Sequence, residues 1–232
     1  MNRNRIVVLL ALSMAISLNG FAQKLDKTAA DSLYDYLIHS PSVDPQTKLK
    51  LAKDLEVFSR STKDSCRLAQ LNGMKTNYYD VLGHLDSSIA SGQLALEYYK
   101  LGCDSLILMF INVNLTSTYL SLGENDRVIE MVDRNLALWN DKWTNTKSKN
   151  SFYTNKAIAQ VYKGDFEVAM TTFKELRANA HKEGNWVGEM DAYNNISALF
   201  GMFYSRNQEI KSYLDSAEFY VKESLHIGKR LG

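Results

Sequence analysis

The 232-residue sequence predicts an all-α protein built from repeated pairs of antiparallel helices. Three observations support this fold class. The only two prolines, Pro41 and Pro45, lie near the front of the chain, so no proline interrupts a helix after that point. Runs that alternate between apolar and polar residues, which would indicate strands, are few. Finally, similar residues recur along the chain at spacings of 40 or 41 positions, which indicates a repeat.

The first residues have the three parts of a secretory signal peptide. Arg3 and Arg5 give a positive start, and a mostly apolar run follows over 6–18, too short for the roughly 20 residues of a membrane-spanning helix. Small residues then predict cleavage between Ala22 and Gln23. We therefore expect 1–22 to be removed and the mature chain to be exported, to the periplasm in a Gram-negative source, with no stable membrane insertion.

The net charge argues against a nucleic-acid partner. The whole chain carries 27 basic and 26 acidic residues, a formal charge of +1. Loss of Arg3 and Arg5 leaves 25 basic against 26 acidic residues, or −1, and the two signs are interleaved along the chain. A nearly neutral chain lacks the basic surface that binds a phosphate backbone.

Residues 23–63 are predicted to form a leading helix pair, either a degenerate repeat or a cap. Apolar residues at helical spacing predict the first helix over 25–40, and Pro41 ends it. Asp44 and Pro45 open the second helix, as N-cap and first helical residue.

Four helix pairs are predicted to follow, over 64–103, 104–144, 145–184 and 185–232. Each first helix has a small residue where it crosses its neighbour, at Thr76, Thr116, Ala157 and Ser197. The second helices have Ser88, Val128, Ala169 and Ala217 at the matching place. Glycines at 83, 123 and 164 suit the tight turns, because glycine reaches left-handed backbone angles without steric cost. The last turn, within 205–212, has no glycine and looks like an insertion.

The final helix is predicted to pack through a stripe formed by Leu214, Ala217, Val221 and Leu225. No polar capping helix follows it, although solenoids normally end in one. We therefore expect either self-association through this helix or the loss of a downstream region.

The segment Ala157–Leu176 reads AIAQVYKGDFEVAMTTFKEL and resembles the tetratricopeptide repeat (TPR) family. The resemblance covers about 68–232, but the usual period is 34, each initial tryptophan is missing and no proline closes a repeat. The chain is therefore similar to the long-helix bacterial variant of the family. That resemblance implies a right-handed α-solenoid of about ten helices after the signal peptide.

In the TPR family the first helices line a concave face that binds extended peptides. Asparagines recur two residues before the crossing residue, and a side-chain amide both donates and accepts hydrogen bonds. The candidate partner-binding residues on this face are Asn77, Asp80, Asn114, Ser117, Ser121, Asn155, Tyr162, Asp191 and Asn195. The alternative interpretation is that the asparagines satisfy the backbone of a neighbouring helix or loop.

No catalytic, cofactor or metal motif is present in the sequence. The four histidines are scattered without metal-ligand spacing, and there is no nucleophile elbow, phosphate loop or dinucleotide fingerprint. The lysines with which some TPR proteins bind a terminal carboxylate are also missing, because Lys75 and Lys156 are one residue out of register. We expect a protein without enzymatic activity and without a cofactor.

The two cysteines, Cys66 and Cys103, stand 37 residues apart, near the starts of successive repeats. Export would place them in an oxidising compartment. The favoured interpretation is a pair of half-buried thiols, and a disulfide is the alternative.

Together these features predict an exported scaffold that binds a protein or peptide partner in the concave face of a TPR-like solenoid. The alternative function is the extracytoplasmic sensory input region of a signal-transduction protein, of the histidine-kinase or transcription-regulator type, without its output domain.

Overall fold

The computed structural model of the chain describes residues 25–40, 43–99, 102–139 and 146–231, which hold ten α-helices and no strand. The all-α prediction is therefore confirmed. The proposed signal peptide and its cleavage point between Ala22 and Gln23 lie outside the described residues. The chain divides into two compact units, Met1–Thr118 and Tyr119–Gly232.

The first unit holds four whole helices and most of a fifth. In chain order these are α1 (Lys27–His39), α2 (Pro45–Ser61), α3 (Ser65–Val81), α4 (Leu85–Tyr99) and α5 (Ser105–Ser121), the last of which crosses the boundary between the units. Helices α1, α2 and α3 each pack on the next helix in the chain.

The second unit holds the other five helices. They are α6 (Asn125–Ala137), α7 (Thr146–Lys163), α8 (Phe166–Lys182), α9 (Trp186–Arg206) and α10 (Lys211–Leu231). Each packs on the next, and α7 also contacts α9. Packing between neighbours in sequence is the arrangement of a helical-repeat protein.

Side-chain caps fix the starts of several helices. The carboxylate of Asp44 accepts a hydrogen bond from the Thr47 amide at 2.9 Å, with Pro45 at the first helical position, as predicted. Asp26 and Asp64 cap α1 and α3 in the same way.

Glycine closes the predicted tight turns. Gly83, Gly123 and Gly164 have φ angles of +76°, +75° and +86°, in the left-handed region that disfavours other residues. The predicted glycine-free connection is shorter than 205–212, because α9 continues to Arg206 and α10 begins at Lys211.

The crossing residues lie where the repeat placed them. Thr76, Thr116 and Ala157 are fully buried and Ser197 nearly so. In two pairs the contact is a hydrogen bond, since Ser88 Oγ donates to the Thr76 carbonyl at 2.7 Å and Ser197 Oγ donates to the Ala217 carbonyl at 2.9 Å. Small hydroxyl residues thus let the helix backbones approach and also donate hydrogen bonds to carbonyl groups of the facing helix.

The first unit buries an ion pair between α2 and α3. Lys75 Nζ donates to Glu56 Oε2 at 2.7 Å and to Asn72 Oδ1 at 2.9 Å, and Arg60 donates to the other Glu56 oxygen. Burial raises the pKa of Glu56, but the hydrogen bonds and charges of Lys75 and Arg60 outweigh it and leave the pKa below its ordinary value.

A disulfide joins Cys66, in the first turn of α3, to Cys103, just before α5, with 5.3 Å between the two Cα atoms. The favoured interpretation of two thiols was therefore wrong. The packing of neighbouring first helices brings their N-terminal ends within bonding distance, which the sequence separation alone does not reveal.

The predicted packing stripe of α10 was also wrong. Leu214, Val221 and Leu225 are 47%, 41% and 58% exposed, and only Ala217 of the four is half-buried. Instead α10 packs through its neighbouring face, where Tyr220 stacks on Phe200 of α9 with ring centroids 5.7 Å apart. A cluster of aromatic rings from α9 and α10 therefore sets the rotation of α10 about its axis.

Candidate functional site

In the first unit, one predicted site residue is used for packing. Asn114 of α5 is 7% exposed, and its Nδ2 donates to the Gly73 carbonyl of α3 at 3.0 Å. This matches the alternative interpretation, in which the amide satisfies a neighbouring helix. A close approach makes the bond possible, because a Cβ on Gly73 would lie 3.0 Å from Ile111 Cγ1.

Two further predicted residues meet across the same pair of helices. Ser117 Oγ donates to Asp80 Oδ2 at 3.1 Å, while Asp80 Oδ1 is buried without a hydrogen-bond partner among the described residues. Asn77, one turn before Asp80, is half-buried. The predicted residues of the first unit thus lie at a contact between α3 and α5.

In the second unit, the predicted first-helix face opens into a groove of about 490 Å³ between α7 and α9. Pockets that bind small ligands fall in this size range. The α7 wall carries polar side chains at helical spacing, namely Lys147, Asn150, Ser151, Thr154 and Asn155. Asn155 is a residue that the repeat singled out.

The opposite wall comes from the start of α9. It contains Asn185, Val187, Gly188 and Asp191, and Leu176 of α8 adds an apolar side chain. Asn185 is the N-cap of α9, and its side chain accepts a hydrogen bond from the Gly188 amide at 3.0 Å. Asp191 is the second predicted residue in this groove, which therefore joins residues from two successive first helices.

A glycine sets the closest approach of the two walls. A Cβ added to Gly188 would lie 2.0 Å from Asn150 Nδ2, so Asn150 occupies the space that any other residue at 188 would fill. Asn150 is 8% exposed, and its Oδ1 is buried without a hydrogen-bond partner in the part of the chain that the structure describes. A buried carbonyl oxygen without a donor is unfavourable by about 1–3 kcal/mol.

The register of the two helices places opposite charges at different levels of the groove. Short turns at 164–165 and 183–185 reverse the chain twice, so α7 and α9 run parallel. With Asn150 level with Gly188, Lys147 and Asp191 lie about 9 Å apart along the helix axes. Burial raises the pKa of the Asp191 carboxyl.

Three predicted residues are not among those that line the groove. Tyr162 is exposed two turns beyond Asn155, and Ser121 is exposed at the end of α5. Asn195 is half-buried, and its Nδ2 donates to the Asp191 carbonyl at 2.9 Å, within its own helix.

The sequence reasoning missed several lining residues, although the signal was available. Ser151 and Lys147 lie one and two turns before Asn155, and Val187 and Gly188 lie one turn before Asp191. Extending each predicted residue toward the start of its helix by steps of three or four would have found them. Asn150 falls outside this spacing from Asn155, and only its contact with Gly188 identifies it.

Within the described ranges, no group of three or more His, Cys, Asp or Glu side chains is placed to hold a metal ion. None of the described helices is both long and apolar enough to cross a membrane.

Comparison with known proteins adds no name to this geometry. No protein-family model matches the chain, and no curated protein matches it significantly. The resemblance to TPR proteins therefore stays a prediction from the residues.

Proposed function

We propose that the protein is an exported, non-enzymatic scaffold that binds a peptide or an extended protein segment in the groove between α7 and α9. One observation carries the proposal: Asn155 and Asp191, which the sequence predicted to share one surface, line the same groove. Amide, hydroxyl and carboxylate groups there can pair with a peptide backbone, and Leu176 and Val187 offer apolar contact.

The repeat architecture supports a peptide over a small metabolite. Parallel first helices place polar side chains along a surface rather than around a closed cavity, and extended segments bind such surfaces through several weak contacts. The predicted TPR resemblance points to the same class of partner.

The test is a selection from a phage-displayed library of random peptides on the immobilised full chain. Enriched peptides are then titrated by isothermal calorimetry into the wild type and into Asn155→Ala. We expect Asn155→Ala to weaken binding about fivefold or more, the value of roughly one hydrogen bond to a peptide group.

Asn194→Ala is the matched control, because Asn194 is an exposed asparagine on α9 outside the groove. It should bind the same peptides as the wild type, and both variants should keep the helical circular dichroism spectrum. Equal binding by all three proteins would reject the groove as the site, and failure to enrich any peptide would reject peptide binding.

We also propose export. The disulfide between Cys66 and Cys103 supports it, since disulfides persist in oxidising compartments, and so does the signal-peptide pattern before Gln23. The intact mass of the native protein from the cell envelope tests both features. We expect the mass of a chain that begins at Gln23, lower by two hydrogens because of the disulfide. The mass of a chain that retains 1–22 would contradict cleavage.

A second function, the sensory input region of a signalling protein, is favoured by the exposed apolar side chains of α10. Leu214, Phe219, Val221 and Leu225 would then contact another segment, or a second copy if the protein self-associates. Sedimentation velocity of the wild type and of Leu214→Gln/Leu225→Gln tests contact with a second copy. A wild-type dimer that the variant loses supports self-association, and a monomer in both proteins contradicts it.

A further inference from the structure

We propose that the α7–α9 groove selects peptides by a cationic side chain, a lysine ammonium or an arginine guanidinium, which it holds against the carboxylate of Asp191. This inference rests on the proposed peptide-binding function and names the chemistry that the groove prefers.

The charge of Asp191 is uncompensated. Its carboxylate lines the groove, and it forms no ion pair among the described residues, whereas the nearby lysine Lys149 is paired with Glu183 at 2.8 Å. Asp191 is an exposed residue whose carboxylate is partly desolvated, so it attracts a complementary charge somewhat more strongly than a carboxylate in open water.

A second acceptor lies on the facing wall. Asn150 is more than nine-tenths buried, it lines the groove, and its Oδ1 has no donor within the described part of the chain. Ammonium and guanidinium groups carry several N–H donors and no acceptor, so a group held by Asp191 would supply the donor that Oδ1 lacks once the Asn150 side chain turns toward the groove. The alternative occupant, an acidic side chain, would bring a third acceptor beside Asp191 and the Asn150 oxygen.

The rest of the groove fits the stem of such a side chain. Lysine and arginine carry an apolar chain of three or four methylene groups below the charge, and they bury it where apolar surface is available. Leu176 and Val187 provide that surface beside the polar walls.

Lys147 is the cationic residue among those that line the groove, so it opposes the binding of a cation. Its removal therefore tests whether the preferred ligand is positively or negatively charged. It lines the end of the groove near the start of α7, about 9 Å along the axes from Asp191. A ligand cation at Asp191 is therefore repelled weakly by Lys147, whereas an anionic ligand would be attracted to it.

The experiment repeats the random-peptide selection on the full chain and on three variants, and then measures the affinity of the enriched peptides by calorimetry. Wild type should enrich peptides that contain lysine or arginine. Replacing that residue in the best peptide by norleucine, which keeps the stem and removes the charge, should weaken binding about fivefold to tenfold.

Removing the charge of Asp191 and removing the charge of Lys147 should have opposite effects on the affinity for the basic peptide. Asp191→Asn should bind the basic peptide and its norleucine analogue equally, while Lys147→Gln, which removes the repelling charge, should bind the basic peptide up to about twofold more tightly than wild type. Asp215→Asn, the same chemical change at an exposed position on α10, is the matched control and should behave as wild type.

Each outcome decides a separate point. Enriched peptides without a preference for basic residues, or a norleucine effect that persists in Asp191→Asn, would overturn the cationic preference and leave peptide binding intact. If Asp215→Asn lost the preference for the basic peptide as fully as Asp191→Asn, the cause would be attraction to the net charge of the protein. That result would also overturn the assignment of Asp191 as the partner of the cation. If no peptide is enriched, the proposed function fails, and this inference fails with it.

Discussion

The two units use the same helix-pair repeat but stabilise it by different means. Both units have a hydroxyl-to-carbonyl hydrogen bond at a helix crossing, and the first unit adds a disulfide and a buried ion pair. The core of the second unit is a cluster of buried alanine, leucine, isoleucine and phenylalanine side chains, extended by aromatic rings of α9 and α10. In the first unit the predicted polar face is used in contacts between helices, and in the second it opens into a groove. The repeat therefore fixes where residues lie in each helix, and the packing of neighbouring first helices decides whether those residues contact each other or line a groove.

The largest effect should come from the apolar core of the second unit. Phe173 is 2% exposed and packs among Leu176, Ile196 and Leu199. Phe173→Ala should lower the free energy of unfolding by about 3–5 kcal/mol, through lost burial and the remaining cavity. Urea unfolding measures the loss, and hydrogen exchange should locate it in α7 to α9.

Val168→Ala is the control for that variant, because Val168 is an exposed apolar residue on the same helix. It should change stability by no more than about 0.5 kcal/mol. Similar effects of the two substitutions, or faster exchange in α2 and α3 than in α8, would contradict the division of the core between the units.

Reduction of the disulfide should be the next largest effect, and it should act on the first unit. The bond closes a loop with a sequence separation of 37, so its loss should lower stability by about 2–4 kcal/mol. Hydrogen exchange with and without reductant should show the change in α3 and little change in α8. The variant Cys66→Ala/Cys103→Ala should be insensitive to reductant, and an unchanged wild type would show that the bond contributes no stability.

A smaller effect separates the two asparagines that the repeat treats as equivalent. Asn114→Ala removes the side-chain donor to the Gly73 carbonyl and should lower stability by about 1 kcal/mol while peptide binding is unchanged. Asn155→Ala should weaken peptide binding, and it should lower the urea midpoint by less than Asn114→Ala does. If both variants lose binding, the predicted face acts as one surface and the contrast between the units is wrong.

The smallest effect concerns pH and the buried pair of Glu56 and Lys75. Because the folded-state pKa of Glu56 is lower than that of a free glutamate, the unfolded chain binds the proton more readily. Its stabilising contribution is therefore complete above the unfolded pKa and is lost as the pH falls through the folded pKa.

Glu56→Gln removes this titration. Between about pH 6 and about pH 3 the wild type should lose more stability than Glu56→Gln, although the variant begins lower because Lys75 loses its charged partner. Urea midpoints across that range test the difference in slope, and parallel curves would show that Glu56 does not titrate in this way.

Features that depend on local chemistry were predictable from the sequence. Asp44 and Pro45 start α2 because a cap and a fixed φ act within one turn, and Gly83, Gly123 and Gly164 close turns that need left-handed angles. The repeat selected Asn155, and helical spacing then placed Asp191 on the same predicted surface, because residues three or four positions apart share a helix face.

Features that depend on distances between helices were not predictable. Both sides of α10 carry apolar residues at helical spacing, so periodicity could not choose between Leu214 and Tyr213 as the packing side. The rings of Phe200 and Phe203 make that choice. The pairing of Cys66 with Cys103 and the burial of Asn114 likewise follow from how closely first helices approach, which single residues do not report.

Because Gly188 has no side chain, a substitution at this position would change the shape of the groove. Alanine there would place a methyl group on the Asn150 amide and push that side chain toward the space a ligand would occupy. A one-carbon substitution would thus narrow the site without altering its charge. A series of alanine and serine at 188, combined with smaller residues at 150, would change the width of the groove in small steps.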